Sequence, residues 1–430
     1  MLAVGANSTA IMAALPDMRT QLHLGPGGAE WAVNAYLVVS AAFIVLGGQA
    51  ADRFGARLVT MAGLVLFAVA SCIIAMAGTQ TELLAGRAMQ GLAAAFAVPS
   101  SLAAVDASAT AERRAGAIGA WSGFLMLGFS IGPLIGGTFT HFTGWRAIFW
   151  FNVLLMLVSI SGLAIAGSPT AGARGAQGRR TDWIGFVLLA TLMVSVVFGL
   201  HALPHARTAP LAVIGPFALA AISFVLLLVV GVRTEFPFID LSFFKRRGFV
   251  MGVAIGSLSM FSIMSLLLYF NLYAQSREGL NFTALQAGAA LLPLSAALLA
   301  LALSASAVSK RIGLRNAMTI GMALIAIASA VIGAAVTELV YLLVAGFLVM
   351  GAGLALPYAL APRLALSALS PEQTGQGSGM VNACTFMGGS AGVAGGAAVF
   401  ALGGFAAVLI MIGIAGLVGA VLSRGVPELK

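Results

Sequence analysis

Long apolar runs separated by short polar breaks set the rhythm of the chain. They cover roughly 2–15, 31–51, 58–78, 83–105, 117–139, 146–166, 183–202, 209–232, 249–274, 284–308, 315–335, 339–366, 376–400 and 403–423, fourteen in all. A membrane-crossing helix needs about 20 mostly apolar residues, and most of these runs reach that length. Lipid offers no water to satisfy a backbone, so runs of this kind predict helices. Barrel strands would be about half as long and would alternate in polarity. The first run is short, and its helix is expected to start upstream of the residues given.

Composition supports a bilayer as the solvent. Sixty per cent of residues are apolar and 8% are charged, with a mean hydropathy of +1.05; soluble domains carry about 25% charged residues. No basic segment or small-residue cleavage site marks a signal peptide before Leu15-Pro16-Asp17. Cys72 and Cys384 both lie in apolar runs and make no disulfide framework.

The formal net charge is +9, and its distribution carries topology. If connections alternate sides, one set holds Arg53, Arg57, Arg113, Arg114, Arg174, Arg179, Arg180, Arg233, Lys245, Arg246, Arg247, Lys310, Arg311, Arg315, Arg363, Arg424 and Lys430. The other holds only Arg19, Arg146, Arg207 and Arg277, with Arg87 left inside a span. The positive-inside rule makes the first set cytoplasmic. A wrong span count would scramble this split, so the pattern predicts both termini in the cytoplasm and a multi-pass protein of the inner (plasma) membrane. It also accounts for the basic excess without nucleic acid as a partner.

Internal repetition comes next. Arg53-Phe54-Gly55-Ala56-Arg57 with Gly63 recurs as Arg311-Ile312-Gly313-Leu314-Arg315 with Gly321. Gly128, Gly132 and Gly136 recur as Gly388, Gly392 and Gly396. Gly86 and Gly91 recur as Gly346 and Gly351. Similar offsets in the same order predict two six-helix halves, a transporter architecture. The expected units are an N-terminal bundle (1–166), a linker with two additional membrane helices (167–248) and a C-terminal bundle (249–430). Within the linker, 167–182 is rich in Gly, Ala and Arg, and 233–248 is a second basic stretch.

Four motifs now resemble the major facilitator superfamily. Gly48-Gln49-Ala50-Ala51-Asp52-Arg53-Phe54-Gly55-Ala56-Arg57 is similar to its loop signature GxxxDRxGxR. Leu84-Ala85-Gly86-Arg87-Ala88-Met89-Gln90-Gly91 is similar to the fourth-span signature with a membrane arginine. Gly128, Gly132, Pro133, Gly136 and Gly137 match the antiporter signature of span 5. Trp145-Arg146-Ala147-Ile148-Phe149-Trp150-Phe151-Asn152 follows as in the fourteen-helix drug:proton antiporters. The resemblance implies an all-α polytopic protein with the major facilitator fold: two six-helix bundles plus two extra central helices. It further implies secondary export of small amphipathic molecules by alternating access, with protons as coupling ion. Uptake or uncoupled facilitated transport by the same fold is the alternative.

The residues also have direct physical readings. Gly55 permits a tight turn; Asp52, Arg53 and Arg57 beside it form, by resemblance, a latch between halves. The span-5 glycines share one helix face and admit a close neighbour, and by resemblance that face seals the two halves of exporters. A charge such as Arg87 costs about 2.5–3.5 kcal/mol at a span centre on insertion scales. It either snorkels toward the membrane surface or, as the family implies, joins a buried coupling network.

One departure matters. The resemblance expects an acid in span 1, where this chain has Asn7, which cannot titrate. Coupling is then weakened or uses Glu30 or Asp106, with Arg87 as third candidate. The cavity between the halves is expected to involve Asn7, Trp31, Asn34, Tyr36, Trp121, Phe124, Tyr269, Asn271, Tyr273, Asn382 and Phe386, since sites of this kind are mostly apolar with a few polar groups. His201 and His205 flank Pro204 in an expected loop, and no metal site is read there. No phosphate loop or nucleophile–base constellation marks an enzyme. No cofactor is expected, and the chain is read as a monomer in the lipid bilayer with a small-molecule substrate.

Overall fold

The computed structural model describes residues 1–165, 182–234, 237–337, 342–370 and 373–427. The glycine- and arginine-rich connection therefore lies outside the described residues except for Asp182. In chain order the α-helices are α1 (Leu2–Gln21), α2 (Gly28–Phe54), α3 (Ala56–Ala75), α4 (Gln80–Ser108), α5 (Ala111–Thr143), α6 (Arg146–Ile165), α7 (Trp183–Ala202), α8 (Pro210–Arg233), α9 (Arg247–Ala274), α10 (Ala284–Ala290), α11 (Leu292–Ile312), α12 (Leu314–Thr337), α13 (Leu342–Ser367) and α14 (Thr374–Ser423). Among the described residues there is no strand, and twelve helical segments are long and apolar enough to cross a membrane.

Three details relate these helices to the apolar runs. Helix α1 continues past Pro16 and Asp17 to Gln21, so it is longer than its apolar run suggests. Its polar Asn7, Ser8 and Thr9 are buried by neighbouring helices. Helices α10 and α11 together form one span, interrupted at Leu291 just before Pro293, which has no N–H to continue the ladder. Helix α14 breaks at Gly403 and Gly404, where Gly404 has φ +62° and ψ −154°. Gln376 bonds to the linker carbonyls of Pro237 and Phe238, while Val426 accepts from Arg315 at the other end. Both ends of α14 thus return to the same face, and the chain reverses at the two glycines. That conformation is essentially restricted to glycine, with a cost of about 1–3 kcal/mol for other residues. Gly404→Val should lower the melting temperature of the detergent-solubilised protein by several degrees. Gly395→Ala, with open space around its added carbon, should leave it unchanged.

The repeat read from sequence reappears as matched contacts. Gly55 (φ +93°) and Gly313 (φ +85°) turn the chain between α2 and α3 and between α11 and α12. Past each turn an arginine closes off the end of a distant helix. Arg57 Nη2 donates to the Leu163 carbonyl at the end of α6 (2.8 Å), and Arg315 Nε donates to the Val426 carbonyl after α14 (2.9 Å). Gly86 abuts Ile74 of α3 as Gly346 abuts Ile332 of α12. Gly128, Gly132 and Gly136 lie against α1 as Gly388, Gly392 and Gly396 lie against α9. Equivalent glycines therefore permit equivalent close approaches in the two sets of helices.

Helices α7 and α8 stand apart from this scheme. Helix α7 packs across α2 and α14, with Phe186 edge-on to Phe43 (5.1 Å) and Phe198 against Trp31 (4.5 Å). Helix α8 leans on α7 and buries only Ala220, Ser223 and Leu227. The pair covers one side of the seam between the two groups of helices. Asp182 fixes its start by accepting from Gly185 N (2.8 Å) and from Phe238 N of the following connection (3.1 Å).

Candidate functional site

A cavity of about 780 Å³ opens at the face that carries Asp52 and Arg53, called here the basic face. Its walls come from α2 (Val45, Gly48, Gln49), α4 (Pro99, Leu102, Asp106), α5 (Ile118, Trp121) and α14 (Gln376, Asn382). The connections Asp182 and Pro237–Asp240 close its edge. Trp121 is held in place by its ring N–H donating to Ser101 Oγ (3.0 Å).

Toward the opposite face the two groups of helices are in contact. Gly137 meets the Ala284 backbone and Gly288 meets that of Pro133, so α5 and α10 approach without intervening side chains. Ser390 Oγ donates to Asn34 Oδ1 (2.9 Å) between α14 and α2, and Gln275 Nε2 donates to the Ala13 carbonyl (3.0 Å) between α9 and α1. The molecule is therefore open at the basic face and sealed at the other.

The antiporter-signature residues divide between two tasks. Gly128, Gly132 and Gly136 seat α5 on α1, within the same group of helices; the seam itself is carried by Pro133 and Gly137. By resemblance, the seal between the halves is expected on the face of the four-spaced glycines. Helical geometry explains the difference, because positions 133 and 137 lie about 100° around the axis from 132 and 136.

The cavity candidates also separate. Trp121 and Asn382 line the large cavity. Phe124 is 55% exposed on the outer surface. Trp31 packs at a tilt against Phe198 and His201 of α7. Tyr269 donates to the Val393 carbonyl, Asn271 to Leu267 of its own helix (2.8 Å), and Tyr273 stacks on Phe405 (5.3 Å); all three pack toward the sealed end. Phe386 sits among core residues. Asp182, Gln373, Gln376 and Phe238 are cavity residues that the periodicity missed, because they come from connections and helix ends.

Arg87 does not snorkel. It is fully buried, and its Nε donates to the Ala32 carbonyl (2.7 Å) and Nη1 to Gln90 Oε1 (2.8 Å), with the guanidinium 4.7 Å over the Tyr36 ring. Gln90 Nε2 donates to Ser71 Oγ (2.9 Å), and Asn7 Nδ2 donates to Gln90 Oε1 (3.3 Å). Asn152 Nδ2 completes the chain by donating to Asn7 Oδ1 (2.8 Å). Asn7 therefore belongs to this interior network and not to the open cavity, as do Asn152 and Ser71, which the sequence reading passed over.

The coupling candidates are not brought together. Arg87 lies inside the first group of helices. Asp106 faces the basic-face cavity. Glu30 stands in the first turn of α2, within electrostatic reach of Arg19 and Tyr269 near the sealed face. Of the latch residues, Asp52 and Arg53 border the cavity and Arg57 ties α3 to the end of α6. His201 lies against Trp31 while His205 is exposed, so the two histidines do not converge.

Comparisons with known proteins agree with this architecture. The sequence profile of the Major Facilitator Superfamily matches residues 1–335. The methylenomycin A resistance protein of Bacillus subtilis is 30% identical, with 67% of this chain and 61% of the relative covered. The chain thus spans less than two thirds of that relative's length. The tetracenomycin C resistance and export protein of Streptomyces glaucescens is 28% identical over 92% of this chain and 73% of its own. The quinolone resistance protein NorB of Staphylococcus aureus is 25% identical over 90% and 83%. The crystal structure of the human organic anion transporter MFSD10 superposes with a TM-score of 0.66 at 18% identity, covering 98% of this chain and 97% of that one, which supports the fold. With a many-helix membrane fold, paired motifs and a cavity between two groups of helices, the chain belongs to the Major Facilitator Superfamily and is a membrane transporter, not an enzyme.

Proposed function

We propose that the chain is a secondary active exporter of small amphipathic molecules, loading at the cytoplasm and releasing on the other side by alternating access. The observation that carries this reading is the cavity open at the basic face and closed opposite. The positive-inside rule supports reading that face as cytoplasmic, and the proposed location is an inner membrane with both termini inside. The mixed lining of Trp121, Leu102, Gln376 and Asn382 suits amphipathic cargo. Resistance and export functions in the named relatives point the same way. The units 1–166, 167–248 and 249–430, acting as a monomer, are the expected moving parts. Asp52 and Arg53, unclosed in this state, form the latch that re-forms when the basic face shuts.

Protons are the proposed coupling ion, exchanged at Asp106 on the open side or Glu30 at the sealed one, since Asn7 cannot take that part. In proteoliposomes a pH gradient should raise substrate flux several-fold, and Asp106→Asn or Glu30→Gln should remove the increase while leaving exchange at equal pH intact. Equal flux with and without the gradient would establish uncoupled facilitated transport, which the neutral Asn7 favours. Drug accumulation in an efflux-deficient host, with Arg87→Ala as the inactive control, tests direction: export lowers accumulation and uptake raises it.

A further inference from the structure

Two side-chain bridges of different quality cross the closed end of the seam. Gln275 Nε2 spans α9 to α1 on the Ala13 carbonyl (3.0 Å), and none of its polar atoms is left buried without a partner. The Asn34–Ser390 bridge spans α2 to α14, and both residues are fully buried. Asn34 Oδ1 accepts from Ser390, while Asn34 Nδ2 has no partner among the described residues. Turning the amide over only exchanges which end is unpaired. The flanking positions are apolar or aromatic: Trp31 and Val38 one turn either side on α2, Met387 and Ala394 one turn either side on α14.

A buried donor left unpaired costs more than an average intramolecular hydrogen bond contributes. This bridge therefore holds the seam less firmly than an apolar contact of the same shape. When the seam parts, water reaches the amide and the penalty disappears. Alternation between two open faces requires that both states be populated. A seam closed by satisfied groups alone would hold the carrier in one of them.

We propose that Asn34 is a positioning residue of the transport cycle: its half-satisfied amide keeps the seal breakable and sets how often the face opposite the cavity opens. Ser390 holds the amide at the seam, and the Gln275 bridge is the firmer contact at the same end. The proposal rests on the alternating-access reading. It concerns the gate, not the cargo or the direction of transport.

In the full-length chain carrying Cys72→Ala and Cys384→Ala, Ala394→Cys places one thiol a turn from Ser390, at a position fully buried while the seam is closed. In nanodiscs a sulfonated maleimide reaches both faces, and its labelling rate measures opening. Ser390→Ala, which leaves both ends of the Asn34 amide unpaired, should raise the rate about fivefold. Gln275→Leu, which removes the firmer bridge, should raise it as well. Asn34→Leu combined with Ser390→Ala removes the unpaired donor and its partner together, and should lower the rate about threefold below the parent. A merely structural role would move all three variants the same way, so the opposite sign is the mark of the amide. Asn34→Val combined with Ser390→Ala repeats the test where leucine is not accommodated. Faster or unchanged labelling in both double variants overturns the proposal, as does slower or unchanged labelling in Ser390→Ala. A parent thiol that never labels overturns it together with alternating access. The expected labelling pattern in a chain that raises drug accumulation in cells keeps the gate and rejects export.

Discussion

Asn7→Asp should turn transport strongly dependent on the proton gradient. In inside-out vesicles, collapsing the gradient with nigericin is expected to cut flux through this variant about tenfold, against a several-fold effect or less for the native chain. The reason is local. Asn7 Oδ1 already accepts from Asn152, and its Nδ2 shares the Gln90 oxygen with Arg87. A carboxylate at this position would stand one side chain from a buried guanidinium, which favours the ionised form, inside a dry bundle, which favours the neutral one. Opposing influences of this size leave a group able to gain and lose a proton across the cycle. Flux through the variant that stays indifferent to nigericin would remove position 7 from any coupling role.

Gly136→Val should abolish accumulation of folded protein. A carbon added at Gly136 runs into the backbone of Ala10, and backbone cannot swing aside as a long side chain can. Overpacking of this kind costs about 1–3 kcal/mol or more for a methylene in a filled core, and here it would push α1 bodily away from α5. Gly119→Ala and Gly123→Ala provide the contrast. Both stand on the same helix with nothing near the added carbon, and helix propensity favours alanine by about 1 kcal/mol. Fluorescence-detected gel filtration and a melting curve should show the monodisperse peak lost for Gly136→Val and retained, at equal or higher melting temperature, for the two alanine variants. A well-behaved Gly136→Val would show that α1 and α5 are not in close contact in the membrane.

Much of the architecture is legible from periodicity because lipid is a uniform solvent. Each crossing must be apolar for its full length, so Val187, Leu211 or Ile414 announce a span whether they face lipid or protein. Helix α1 marks the boundary of that rule. Its Asn7, Ser8 and Thr9 dilute the signal because they are satisfied by Gln90, Tyr36 and the Phe129 carbonyl, partners between 28 and 120 residues away. The site was less legible. Trp121 and Asn382 could be placed on the cavity from their helices, whereas Tyr269 and Trp31 look equally suitable in sequence and are taken up by Val393 and α7.

By itself the sequence determined the solvent, the helical class, the repeated R-φ-G-x-R turns and the glycine spacings, because each depends on residues adjacent along the chain or on one helix face. Tertiary structure decided which neighbour each glycine face meets, that Arg87 is sealed in among neutral groups, and which face of the molecule is open. Those outcomes depend on how helices rotate about their own axes and which distant helix they meet, and local spacing does not encode either.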